Sequence, residues 1–126
     1  MKRAAIYARF SSDRQNERSA RDQIELCRAW AERQGDLLVV AEYRDEAVSG
    51  ASTVNRFELG RMMRDARAGM FDIVLCEALD RLSRDQADLA TIRKQLNFLE
   101  IGIRTVQDGE VGAMHIGLKG LMGELY

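Results

Sequence analysis

The chain contains no proline, a single histidine and only two cysteines among its 126 residues. With neither proline nor a Gly/Ser-rich or low-complexity stretch there is no linker of the usual composition, so residues 1–126 read as one domain. The histidine, His115, lies in the terminal stretch, far from the serines near the start, which argues against a Ser-His-Asp hydrolase. One histidine and two cysteines at no ligand spacing disfavour a catalytic metal, and no cofactor is expected. Cys27 and Cys76 fall in a helix-like and a strand-like segment, where they read as reduced core thiols rather than a disulfide.

Long apolar runs are also missing. No stretch of about 18 apolar residues exists, and Met1-Lys2-Arg3 leads into charged sequence, so neither a membrane span nor a signal segment is expected and the location reads as cytoplasmic. Charge of one sign is missing too: nineteen Lys and Arg face twenty Asp and Glu, a formal charge of -1. That excludes the whole-domain basicity of a stand-alone nucleic-acid binder and confines any DNA contact to local patches or to another domain. There is no internal repeat of twenty or more residues. Nor is there a nucleotide loop, since Gly112 to Gly117 is followed by Leu118-Lys119 where Lys and then Ser or Thr are required.

What is present is an alternation of short apolar runs and amphipathic stretches. Residues 3–8 predict a strand that ends in a polar loop. Ser19 with Asp22 resembles a capping box, and Ile24, Cys27, Trp30 and Ala31 recur at helical spacing up to Gly35. Leu37–Tyr43 and Asp72–Cys76 are near-continuously apolar, as strands covered on both faces tend to be. Between them Asn55 is the expected cap of a helix carrying Phe57, Leu59, Met62, Met63 and Ala66, closed by Gly69. A further helix is expected from near Asp85, with Leu89, Ile92, Leu96 and Leu99 on one face, to about Gly102, followed by a strand over 103–106. The pattern predicts an α/β sandwich with a mostly parallel central sheet flanked by helices. Gly112 to Tyr126 reads as the start of a long C-terminal helix with partners downstream or in another subunit; a frayed tail is the plainer alternative.

In open α/β sheets ligands collect beyond the carboxyl ends of the strands, and three loops leave such ends with unusual side chains. The first holds Arg9, Ser11, Ser12, Asp13, Arg14 and Gln15. The second holds Asp45, Glu46, Ser49 and Gly50, with Arg56 just beyond. The third holds Asp80, Arg81 and Arg84. One turn of helix would aim Arg81 and Arg84 at a single anion and leave Leu82 to the core. Arginine suits that task because its planar donors match phosphate oxygens and it stays charged. Alone, Asp-Arg-x-x-Arg is more often a solvated, salt-bridged helix start than a site.

Tyr7-Ala8-Arg9-Phe10-Ser11 with Gln15 and Gln23, Asp45-Glu46-Ala47-Val48-Ser49-Gly50 with Arg56, and Leu79-Asp80-Arg81-Leu82-Ser83-Arg84-Asp85 together resemble the serine site-specific recombinases, the family of resolvases, invertases and large serine integrases. The resemblance is strong from Ile6 to Asp85 and weaker beyond. It implies a resolvase-like fold and makes Ser11 the nucleophile that joins a DNA 5′-phosphate. It places Arg9, Arg81 and Arg84 around the scissile phosphate, Arg56 and Asp80 in the catalytic set, and Gln15 and Gln23 in support. Phe10 and Ala47 depart from the aliphatic residue and the glycine often found there, without removing a catalytic group.

The implied partners are double-stranded DNA and further copies of the chain, as dimer and tetramer in the full-length protein, with a DNA-binding domain expected downstream. The chemistry agrees: preorganised arginines can neutralise a phosphoryl transition state without a metal. Asp80, a guanidinium or water are all open as the route for the Ser11 proton. Two other readings stand beside this one. The first is a non-catalytic assembly or DNA-bridging module of the same fold. The second is a flavodoxin-like signalling or nucleotide domain, for which the first loop lacks the acids or glycines required.

Overall fold

In the computed structural model, which describes residues 1–11, 18–46 and 56–112, each expected strand and helix between residues 2 and 106 is present. The elements are β1 (Lys2–Phe10), α1 (Ala20–Gln34), β2 (Leu37–Glu46), α2 (Phe57–Arg67), β3 (Ile73–Cys76), a single 3₁₀ turn (Leu79–Arg81), α3 (Gln86–Phe98), β4 (Gly102–Thr105) and β5 (Gly109–Val111). The strands form one sheet in the order β2-β1-β3-β4-β5. β1 runs parallel to β2 and β3, β3 parallel to β4, and only β5 is antiparallel to its neighbour. The expected C-terminal helix lies outside the described residues.

The period-two alternation of β1 and β3 divides the core into two layers. Ala4, Ile6, Ala8, Ile73 and Leu75 pack with Ile24, Cys27 and Ala31 of α1 on one face. Ala5, Tyr7, Val74 and Cys76 pack with Leu59, Met62 and Met63 of α2 and Leu89, Ile92 and Leu96 of α3 on the other. Both cysteines are buried and unbridged, and burial pushes the Cys27 thiol up to about 12. A thiol so displaced is not a nucleophile at neutral pH.

β2 departs from the sequence reading. It is an edge strand, and Leu38 and Val40 are 52% and 44% exposed rather than covered on both faces. The register explains this. Ala4 pairs with Val39 but Ala5 with Ala41, so Val40 is an extra residue, a β-bulge. A bulge inverts which face the following residues occupy. Leu37 and Val39 therefore pack toward α1, whereas Ala41 and Tyr43 pack on the opposite face.

Helix ends follow their caps, with two corrections. The Ser19 Oγ accepts from the Asp22 amide at 3.1 Å and Gly35 closes α1 in the left-handed region, as expected. Asp85 caps α3, accepting from the Asp88 amide at 2.8 Å. The N-cap of α2 is Arg56 rather than the expected Asn55, which lies outside the described residues; the Arg56 side chain makes no bond to the helix amides, and the carboxylate of Asp45 accepts instead from the amides of Glu58 at 2.9 Å and Leu59 at 3.0 Å. The bulge is what turns Asp45 to the α2 face.

α3 also ends earlier than expected: Leu99 is its cap, and Glu100 takes the positive φ of 60°. Gly102 is instead the first residue of β4, where a Cβ would meet the Ile73 Cδ1 at 3.0 Å. β5 was not foreseen, because three residues are too few for alternation to register.

Candidate active site

The chain leaves β1 for β2 on one side and returns to β3 on the other, so the carboxyl ends of β1 and β3 diverge at a topological switch point. Arg9 shares the face of Ala5 and Tyr7 by strand parity and pairs in register with Asp45. It reaches a cleft of about 410 Å³ on the α2–α3 side, lined by Arg9, Arg56, Ser83, Arg84, Asp85 and Asp88. Ser11 follows the end of β1 directly and is only 6% exposed; it does not line that cleft.

The exit of β1 is fixed by Gln23, which is fully buried in α1. Its amide nitrogen donates to the carbonyls of Arg9 at 2.7 Å and Arg18 at 2.8 Å, and its oxygen accepts from the Arg9 amide at 3.2 Å. A side chain that bonds three backbone groups holds the two ends of the first loop at a set separation. Gln15 lies outside the described residues.

Asp45 joins the second loop to the core. Besides capping α2 it accepts from the Tyr7 hydroxyl at 2.7 Å, and these bonds are structural. Burial, and then the Asp45 carboxylate, hold the Tyr7 phenol far above its ordinary value. Arg56 donates to Asp88 at 2.6 Å and to the Leu82 carbonyl at 3.0 Å, bracing α2 against the start of α3. Burial raises the Asp88 carboxyl, but bonds from Arg56 and Ser83 and the charges of Arg56 and Arg9 outweigh it, and the net displacement is downward. Asp88 is thus a resident anion in an arginine-lined cleft.

Arg81 and Arg84 are not on one helical turn. Arg81 ends the 3₁₀ turn and Arg84 stands in the connection before α3, because Leu82, at 0% exposure, takes the intervening backbone into the core. Arg84 lines the cleft. The Arg81 guanidinium donates to Glu77 at 2.9 Å, with both side chains largely buried, and lies 3.4 Å from the exposed Asp80. The structure therefore gathers Arg9, Arg56 and Arg84 in one cleft, whereas Ser11, Asp80 and Arg81 do not line it.

A family model described as Resolvase, N terminal domain matches residues 4–126. The chain belongs to the resolvase family. It is 36% identical over 80 residues to a Resolvase/recombinase of Pseudomonas putida, an alignment that covers 64% of the chain and 39% of that protein. The chain thus spans about two fifths of the curated relative's length. Among solved structures it is similar to the N-terminal catalytic domain of TP901-1 integrase (28% identity, TM-score 0.76, covering 98% of this chain and 95% of that one). It is also similar to a resolvase family site-specific recombinase from Streptococcus pneumoniae (26% identity, TM-score 0.81, covering 99% and 87%). Its fold is that of a serine recombinase catalytic domain.

Two acids of this resolvase domain escaped the sequence reading. Glu77 stands four residues before Arg81 and Asp88 four after Arg84, the separation at which opposite charges meet on a helix. That spacing was visible. The bond from Asp88 to Arg56, 32 residues away, was not.

Proposed function

We propose that this domain cleaves and rejoins DNA strands at specific sites. The Ser11 Oγ attacks a backbone phosphorus, the bond from Ser11 to the 5′-phosphate forms as the bond to the 3′-oxygen breaks, and the 3′-hydroxyl leaves with a proton. Reversal of the same step by another strand's 3′-hydroxyl reseals the DNA. Because the phosphodiester energy is kept in the phosphoserine, rejoining requires no nucleotide.

The observation that carries this reading is the convergence of Arg9, Arg56 and Arg84 on one cleft beside the β1 exit that bears Ser11. Preorganised guanidinium groups stabilise the charge that accumulates on non-bridging phosphate oxygens. Arg81 joins the clamp from the neighbouring turn, and Arg56 and Gln23 hold the frame. Double-stranded DNA is the substrate, reached as a dimer and then a tetramer in the cytoplasm, with sequence recognition supplied by a further domain.

The test is incubation of the recombinase carrying this domain with a suicide DNA substrate. Ser11→Ala abolishes the covalent protein–DNA adduct and leaves site binding in place. An adduct retained in that variant, or mapped to Ser12, overturns the assignment.

A further inference from the structure

Glu77 lies outside the arginine cleft and has no part in the chemistry proposed above, yet its carboxylate is the meeting point of two loops. It is the first residue after β3, and its carbonyl accepts from the Gln107 amide at 3.2 Å, so its backbone is tied to the turn after β4. One carboxylate oxygen accepts from Arg81 at 2.9 Å, and the other lies 2.7 Å from the Arg18 Nε. Arg18 is itself held by the bond from Gln23 to its carbonyl. The Glu77 and Arg81 side chains are 14% and 13% exposed, whereas Arg18 is 57% exposed.

We infer that Glu77 is a positioning residue: its carboxylate ties Arg18, at the entrance to α1, to Arg81, in the turn after β3, and so sets where Arg81 stands relative to the β1 exit. The inference rests on the proposed phosphoryl chemistry for its use, but not for its geometry. A partly desolvated carboxylate is an expensive way to secure stability, since an apolar residue of similar size does as well or better in such places. What an apolar residue cannot do is fix a guanidinium's direction. Arg81 has a long, flexible stem, and a planar fork bonded at a known oxygen loses most of that freedom before any phosphate arrives.

The first arm of the test uses the chain itself and reads the arginine side-chain Nε–H signals by NMR. In Glu77→Gln the Arg81 and Arg18 signals are expected to shift and exchange faster, while Arg104, bonded to Asp36 at 3.0 and 3.1 Å, remains as it was. An unmoved Arg81 signal overturns the inference. Should Glu77→Gln fail to fold, Arg18→Ala at the exposed end of the tie leaves the fold intact and is expected to loosen Arg81 through Glu77; an unchanged Arg81 then overturns it.

The second arm measures DNA cleavage by the recombinase carrying these variants. Glu77→Gln is expected to slow cleavage by about 10²-fold, the scale of a small misplacement of a catalytic group, with site binding and melting temperature nearly unchanged. Combined with Arg81→Ala it adds no further loss. Independent, multiplying losses mark a merely structural role and overturn the inference, as does wild-type cleavage in Glu77→Gln while Arg81→Ala is slow. Wild-type cleavage in Arg81→Ala instead strikes the arginine clamp itself, and the NMR arm still decides whether Glu77 holds Arg81.

Discussion

At the amino-terminal edge of the sheet arginine and aspartate meet one to one. Arg3 donates from Nε and Nη2 to the two oxygens of Asp72, at 3.2 and 3.1 Å, and Arg104 forms the same kind of fork with Asp36. At the carboxyl-terminal edge the same residue types are distributed differently. Among the described residues, Arg9, Arg56 and Arg84 line a cleft with two aspartates, Asp85 and Asp88, an excess of one positive charge in a chain whose total is -1. A fork closed on one carboxylate has little left to offer a ligand. Arginines gathered around acids that belong to a cap and a brace present their charge to one shared cleft. Net charge hides this contrast, because local potential follows placement rather than totals.

The contrast breaks first at Arg84. Arg84→Ala is expected to lower DNA cleavage by about 10²–10³-fold, the usual cost of removing one preorganised donor, while Arg3→Ala leaves the rate unchanged. Equal losses at the two edges, in a strand-cleavage assay, would erase the distinction. Next comes Asp45, whose loss is one of folding: Asp45→Ala strips a buried cap and orphans the Tyr7 hydroxyl, costing roughly 2–4 kcal/mol by denaturant unfolding. Asp45→Asn, which keeps one acceptor, costs less.

Asp88→Asn sits between the two regions. It removes the charge from the 2.6 Å bond to Arg56 without emptying the cleft, and a fall in cleavage smaller than that of Arg84→Ala is expected, with at most a small drop in Tm. Acid reads the same groups. Asp88, Asp72 and Asp36 all titrate below their ordinary values, Asp72 and Asp36 chiefly because Arg3 and Arg104 bond their carboxylates. A carboxyl depressed in the folded state contributes stability above its unfolded pKa, and that stability is lost as pH falls through the folded one. Melting temperature should therefore be level above about pH 5 and fall below about pH 4. In Asp88→Asn the fall is shallower. The smallest effect belongs to Arg3→Ala, an exposed pair whose removal barely moves Tm and matters less still at high salt.

Much of this was legible in the chain. Ser19, Gly35, Gly69 and Asp85 announced helix ends because a cap is a property of adjacent residues, and the apolar run of β3 announced a strand covered on both faces because such burial leaves no polar alternation. The same logic failed for β2. Leu37-Leu38-Val39-Val40 has the composition of a covered strand, and nothing local reveals that it lies at an edge or that Val40 is squeezed out of register. β5 was too short to leave a pattern. At the cleft, Arg9, Arg56 and Arg84 were legible as residues, but the contacts that hold them were not. Arg56 reads as one more cation until Asp88 and the Leu82 carbonyl are seen to hold it, and Asp45 reads as a loop acid until it is found capping a helix from a neighbouring strand.

The sequence by itself determined the order of elements from β1 to β4, the helices that flank the sheet and the set of side chains delivered to the strand ends, since each depends on residues within a few positions of one another. Only the tertiary structure decided which arginines share a cleft, which acid holds each of them and which face Asp45 turns to. Those outcomes depend on one unpaired residue in β2, on Leu82 entering the core between Arg81 and Arg84, and on contacts such as Arg56–Asp88 that span 32 positions of the chain. Periodicity carries no information about separations of that length.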